Sequence, residues 1–137
     1  MRMLIVEDEK VSRKKMRIIL EEFGVCDETA SGSEALAMFR KAWEERAPYD
    51  IVTLDITLHE MNGAEVLLQM RQFEQERNLP KAKLAKIIMV TSHSDVDHIT
   101  TCITAGCNSY TVKPFTRESI RKCLRAVYAK TFQEIFG

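Results

Sequence analysis

Three acids, a lysine and a pair of hydroxyls occupy places in this sequence from which they could act on one substrate. Asp55 ends the run Ile51-Val52-Thr53-Leu54, and Glu7-Asp8 follow Leu4-Ile5-Val6. Thr91-Ser92 close Ile87-Ile88-Met89-Val90, and Lys113 follows Tyr110-Thr111-Val112. Carboxylates gathered in one cleft repel one another, which raises a pKa unless a cation neutralises them. The natural cation is hard and oxygen-seeking, and Mg²⁺ takes a few protein oxygens while keeping waters and phosphate oxygens. A lysine adds a fixed positive point charge, and a threonine hydroxyl can donate to a phosphoryl oxygen. An aspartate can itself act as a nucleophile and form an aspartyl-phosphate. The residue set therefore suits phosphoryl transfer onto a carboxylate. Taken singly, each residue has a plainer reading: Asp55 merely closes a strand, and the others are solvated acids, a solvated lysine and a strand-end threonine. Whether the fold brings them together decides the matter.

Strand-like and helix-like segments alternate along the chain. Residues 3–6 form a short apolar strand, and Met16, Ile19, Leu20 and Phe23 then stripe a helix over 11–23 that Gly24 ends. A weaker strand at 25–30 precedes Ser33, a plausible N-cap for a helix striped by Ala35, Leu36, Phe39, Ala42 and Trp43 and stopped by Pro48. The strand at 50–55 is β-branched and bounded by turn residues, as a strand buried on both faces is. Val66, Leu67, Met70 and Phe73 stripe a third helix that ends near Asn78-Leu79-Pro80. A strand at 87–91 leads to a helix capped by Asp95, carrying Val96, Ile99, Thr100 and Ile103, and stopped by Gly106. A last strand at 108–112 precedes a helix striped by Ile120, Cys123, Leu124, Val127 and Tyr128, continuing weakly through Thr131 and Ile135.

Five strands alternating with five helices imply an α/β fold, a doubly wound parallel sheet of the (βα)5 type. Right-handed crossovers and five strands favour the flavodoxin-like order 2-1-3-4-5. In that arrangement Glu7, Asp8, Asp55, Thr91, Ser92 and Lys113 all fall on the carboxyl edge of one sheet, where open α/β sheets place their ligands. The plain readings then become implausible jointly.

Composition agrees with one ordinary globular domain. The 137 residues carry 20 basic and 20 acidic side chains, so bulk charge gives no reason to expect nucleic-acid binding. No apolar run approaches the ~18 residues of a membrane span, and the acids Glu7-Asp8 come too early for a signal peptide. Cys26, Cys102, Cys107 and Cys123 form no C-x-x-C pair, so reduced thiols in a cytoplasm are expected.

The motifs Glu7-Asp8, Asp55, Met61-Asn62-Gly63, Thr91-Ser92 and Lys113-Pro114-Phe115 in combination resemble the response-regulator receiver domain of two-component signalling, similar to stand-alone chemotaxis-type regulators. The likeness spans roughly residues 2–129, with 1–129 as the receiver and 130–137 as a tail extending the last helix. It implies that Asp55 is the phosphoacceptor and that Asp8 is a direct Mg²⁺ ligand. Glu7 acts through metal-bound water, and the backbone carbonyl of Thr57 is another ligand. Thr91 and Lys113 grip the phosphoryl group, and Lys113-Pro114 is joined by a cis bond. It further implies a readout in which Thr91 moves inward and Tyr110, on strand 5, turns from exposed to buried. That change reshapes the face of helix 4, strand 5 and helix 5, around Asp97, Val112 and Arg117. The implied phosphodonor is a sensor histidine kinase or a histidine phosphotransfer protein, and the implied target is a protein, with no nucleic acid or membrane. On this reading the chain is a phosphoacceptor module rather than an enzyme, capable at most of Mg²⁺-dependent self-phosphorylation from small donors and of self-dephosphorylation.

Several residues depart from the family's habit. Leu58-His59 stand where Met-Pro is usual, Ser92 replaces the commoner alanine, and Glu74–Lys86 is a long connection. Thr57 and His93 hold positions that tune dephosphorylation in the family, while His59 and His98 are expected to be solvated. A dehalogenase-type aspartyl-phosphate enzyme would want an aspartate where Thr57 stands. A flavodoxin-like carrier would need a phosphate-cradling loop where Glu7-Asp8-Glu9 would repel phosphate. A phosphorelay intermediate and a receiver fold used only for binding remain open. No output domain is expected after the last helix.

Overall fold

The computed structural model describes residues 1–128. Five strands, β1 (Arg2–Val6), β2 (Val25–Thr29), β3 (Ile51–Asp55), β4 (Lys86–Thr91) and β5 (Ser109–Val112), pair in parallel in the order β2-β1-β3-β4-β5. The helices α1 (Lys10–Leu20), α2 (Gly32–Glu44), α3 (Gly63–Glu76), α4 (Ile99–Ala105) and α5 (Arg117–Val127) cover both faces. The expected topology is therefore the one found. The expected extension of the last helix over 130–137 lies outside the described residues.

The two-residue side-chain period of the strands divides the core into two layers. Leu4 and Val6 of β1, Val52 and Leu54 of β3, and Ile87 and Met89 of β4 pack against Leu36, Phe39, Val66, Leu67 and Met70 of α2 and α3. Met3, Ile5, Ile51, Ile88 and Val90 point the other way, against Met16, Ile19 and Leu20 of α1 and Ile120 and Leu124 of α5. Each such side chain, buried outright, contributes about 1.5–3 kcal/mol. Both faces of β3 are covered and all five of its residues are buried, which fixes Asp55 at the end of the most constrained strand.

Two capping expectations need correction. Ser31, not Ser33, caps α2: its hydroxyl accepts from the Glu34 N–H at 3.1 Å. Asp95 caps nothing, because residues His93–His98 wind as a 3₁₀ turn and α4 begins only at Ile99. Three residues per turn instead of 3.6 shift the phase of the expected stripe. Val96 and Ile103 face solvent, and Ile99 and Cys102 are the residues that go inward. Gly106 ends α4 in the left-handed region (φ 105°), as expected. The four cysteines are free thiols.

Candidate functional site

Parallel strands all deliver their carboxyl ends to one edge, and β1 and β3 are neighbours there. Glu7 and Asp55 are both buried at that edge, and Asp8 begins the loop to α1. One carboxylate oxygen from each of Glu7, Asp8 and Asp55 lies within 4.8 Å of the others. Opposite them stands Lys113, whose Nζ sits 2.6 Å from Glu7 Oε1 and 3.0 Å from Asp55 Oδ2. Burial works against the ammonium charge, but the Glu7 and Asp55 carboxylates outweigh it and hold the Lys113 pKa above its ordinary value. Burial first, then the neighbouring Asp55 carboxylate, pushes Glu7 up to about 8 despite the pull of Lys113. One cation thus faces three carboxylates, an excess of negative charge that a divalent ion would relieve.

The loops hold these groups in place. Thr57 N–H donates to Asp55 Oδ1 at 2.9 Å, and Glu9 N–H donates to Glu7 Oε2 at 3.2 Å. Asn62 caps α3 by accepting from the Ala64 N–H at 2.8 Å, and Gly63 follows because any Cβ there would collide with the Asp55 carbonyl oxygen. The Lys113-Pro114 bond is cis, as expected, and Phe115 beyond it is buried under the α1–α5 layer. A cleft of about 540 Å³ opens over the cluster, lined in part by Asp8, Asp55, Thr57, Ser92, Asp95 and Lys113.

The response-regulator receiver domain family matches residues 3–125 of this sequence. The chain belongs to that family. The transcriptional regulatory protein AlgB for alginate biosynthesis in Pseudomonas aeruginosa is 33% identical over 120 residues, which cover 88% of this chain but 24% of that protein. The chain therefore spans about a quarter of such a relative. The chemotaxis protein CheY of Halobacterium salinarum is 31% identical over 125 residues, 90% of this receiver and 93% of the relative. Among solved structures, the CheX-CheY-BeF3-Mg²⁺ complex of Borrelia burgdorferi aligns with a TM-score of 0.78 and 26% identity, covering 93% of this receiver and 88% of that chain. No helix among the described residues is long and apolar enough to cross a membrane.

Within the receiver, Glu7, Asp8, Asp55 and Lys113 meet as the sequence predicts. Thr91 is buried at the end of β4, its hydroxyl donating to the Ser92 carbonyl at 3.1 Å. Tyr110 lies on β5 and is 44% exposed, so the residue expected to report the switch points outward in this structure. His59 is solvated as expected, with its side chain 94% exposed, yet Nε2 lies 3.2 Å from Asp8 Oδ2, and its backbone N–H donates to the same oxygen at 3.1 Å. Asp95 was expected only as a cap. It instead accepts from the hydroxyls of Thr57 and Ser92, each at 2.7 Å, and those two bonds hold its carboxyl below the usual range. The signal that could have pointed to it is the pair of hydroxyls just after strands 3 and 4, which need an acceptor once both loops fold over one cleft.

Proposed function

We propose that this receiver is a phosphorylation-operated switch that accepts a phosphoryl group on Asp55 from a histidine kinase or histidine phosphotransfer protein. The observation that carries the proposal is the Asp55 carboxylate. It is buried at a strand end, 3.0 Å from Lys113 Nζ, and shares a cleft with two further acids. An Asp55 oxygen attacks the phosphorus of a phosphohistidine, the P–N bond breaks as the P–O bond forms, and the imidazole departs with its proton. Asp8, Asp55 and the Thr57 carbonyl, with Glu7 acting through a water, would hold a Mg²⁺ ion that offsets charge on the transferring group. Lys113 leaves its pairing with Asp55 to meet the new phosphoryl oxygens, and the Thr91 hydroxyl swings from the Ser92 carbonyl to join it. Drawing Thr91 inward opens space behind it for Tyr110. The face made by α4, β5 and α5 then changes for a protein partner.

The test is direct. Acetyl phosphate or phosphoramidate with Mg²⁺ should add one phosphoryl group that hydroxylamine removes, and chelation should prevent the addition. Asp55→Asn should take up none. Equal labelling of that variant would move the nucleophile elsewhere.

A further inference from the structure

Asp95 is a carboxylate that neither the acidic cluster nor the phosphoryl-gripping groups employ, yet it lies between them. Hydrogen bonds run without a break from the acceptor to the threonine. Thr57 N–H binds Asp55 Oδ1 at 2.9 Å, Thr57 Oγ1 binds Asp95 Oδ2 at 2.7 Å, and Ser92 Oγ binds the same oxygen at 2.7 Å. The Ser92 carbonyl then takes both the Thr91 hydroxyl and the Asp95 N–H, each at 3.1 Å. A single carboxylate oxygen therefore ties the loop after β3 to the turn after β4, and that turn keeps the Thr91 hydroxyl engaged on the Ser92 carbonyl.

We propose that Asp95 is a positioning residue that clasps these two loops and sets how readily Thr91 can move onto a phosphoryl group at Asp55. The proposal rests on the reading of Asp55 as phosphoacceptor. Hydroxyl-to-carboxylate bonds are charge-assisted and among the stronger ones in proteins. They form here around the arrangement in which the Thr91 hydroxyl is held on the Ser92 carbonyl, so they stabilise that arrangement against one in which the hydroxyl binds phosphate. Asp95 also lines the cleft that a phosphoryl group enters, so the anion and the clasp carry charge of the same sign. An interaction made in only one of two states shifts their balance by its own differential strength. Thr57 and Ser92 supply the two hydroxyls, and neither would do so as valine or alanine.

The experiment measures beryllofluoride affinity in the presence of Mg²⁺ for the full chain and for Asp95→Ala, Asp95→Asn, Thr57→Val and the Asp95→Ala, Thr57→Val double variant. Nuclear magnetic resonance of Thr91 and Ser92 is recorded in each before beryllofluoride is added. The expected result is that Asp95→Ala binds beryllofluoride about fivefold to tenfold more tightly. Thr57→Val should also tighten binding in the parent but add nothing once Asp95 is gone, and the Thr91 and Ser92 signals should move toward their bound positions in Asp95→Ala and Thr57→Val alike. A clasp is overturned if Thr57→Val has the same effect in both backgrounds or none in either. Equal tightening by Asp95→Asn and Asp95→Ala, with Thr57→Val silent, would mean that charge alone acts, which also overturns it. If the parent binds no beryllofluoride at all, the phosphoacceptor reading itself falls and the clasp with it. If the parent binds it and the variants match the parent, only the clasp falls.

Discussion

The two ends of the sheet handle buried charge in opposite ways. At the amino edge, Glu74 is 1% exposed and accepts from Arg71 Nη1 at 2.7 Å and from the Ala85 N–H at 2.8 Å. Arg71 also donates to the carbonyls of Gly106 and Ala85, each at 2.9 Å, and to Asn108 Oδ1 at 2.8 Å. One negative charge meets one positive charge, and the forks of both are filled. At the carboxyl edge, among the described residues, Lys113 alone pairs with both Glu7 and Asp55, and Asp8 meets only the exposed His59. The first arrangement joins α3 to the starts of β4 and β5 with its charges balanced, although Arg71 and Glu74 also line a cleft of about 410 Å³. The second carries unbalanced charge and opens onto a cleft. Burial alone therefore does not mark a functional acid; an incomplete set of partners does.

Removing one partner should separate the two edges most sharply. Glu74→Ala leaves the half-buried Arg71 guanidinium without its carboxylate and the buried Ala85 N–H without its acceptor, so urea denaturation should show a loss of about 1–3 kcal/mol. A loss no larger than that of an exposed substitution would mean that Arg71 reaches solvent and the amino edge is not closed. Glu7→Gln at the other edge should act in the opposite direction when Mg²⁺ is absent. Burial raises the folded-state pKa of Glu7 to about 8 from 4.5. Its contribution to stability is therefore complete below the unfolded value and lost as pH rises through the folded one. Denaturation midpoints of the parent without Mg²⁺ should accordingly decline across pH 4.5 to 8, and Glu7→Gln should flatten that decline and gain roughly 1–3 kcal/mol at its alkaline end. Parallel pH profiles for parent and variant would contradict the crowding.

Smaller effects concern the ion itself. Asp8→Ala removes a ligand and eases the repulsion that draws a cation in, so Mg²⁺ affinity by fluorescence or calorimetric titration should fall about tenfold or more. His59→Ala should change that affinity by no more than about twofold, because an imidazole this exposed holds Asp8 only weakly. Unchanged Mg²⁺ binding in Asp8→Ala would remove the acidic cluster as the metal site.

The sequence was most legible where one physical rule governs an element. Short apolar runs and helices with stripes at i, i+3 and i+4 gave five strands alternating with five helices, and the doubly wound parallel topology then carried Asp55, Glu7, Asp8 and Lys113 to one edge. The region from Ser92 to His98 was misread because its apolar spacing suits an α-helix, whereas its serines and Asp95 bond to one another and to Thr57 in a 3₁₀ turn. Contacts set by two loops meeting leave no periodic trace, so the clasp at Asp95 and the His59–Asp8 contact were invisible. Glu74 was hidden for a related reason: the stretch Glu74–Lys86 read only as a long connection, yet the Ala85 N–H near its end donates to the buried Glu74 carboxylate.

The central claim is that charge arriving at Asp55 is transmitted to the α4–β5–α5 face, while the closed amino edge stays still. Nuclear magnetic resonance of the labelled chain with Mg²⁺, recorded with and without beryllofluoride, tests it most directly. The account predicts shifts at Asp55 and also at Thr91, Ser92, Tyr110 and along α4, with Arg71, Glu74 and Asn108 unmoved. Shifts confined to Asp8, Asp55 and Lys113, with Thr91 and Tyr110 in place, would contradict the switch and leave a phosphate relay as the better description.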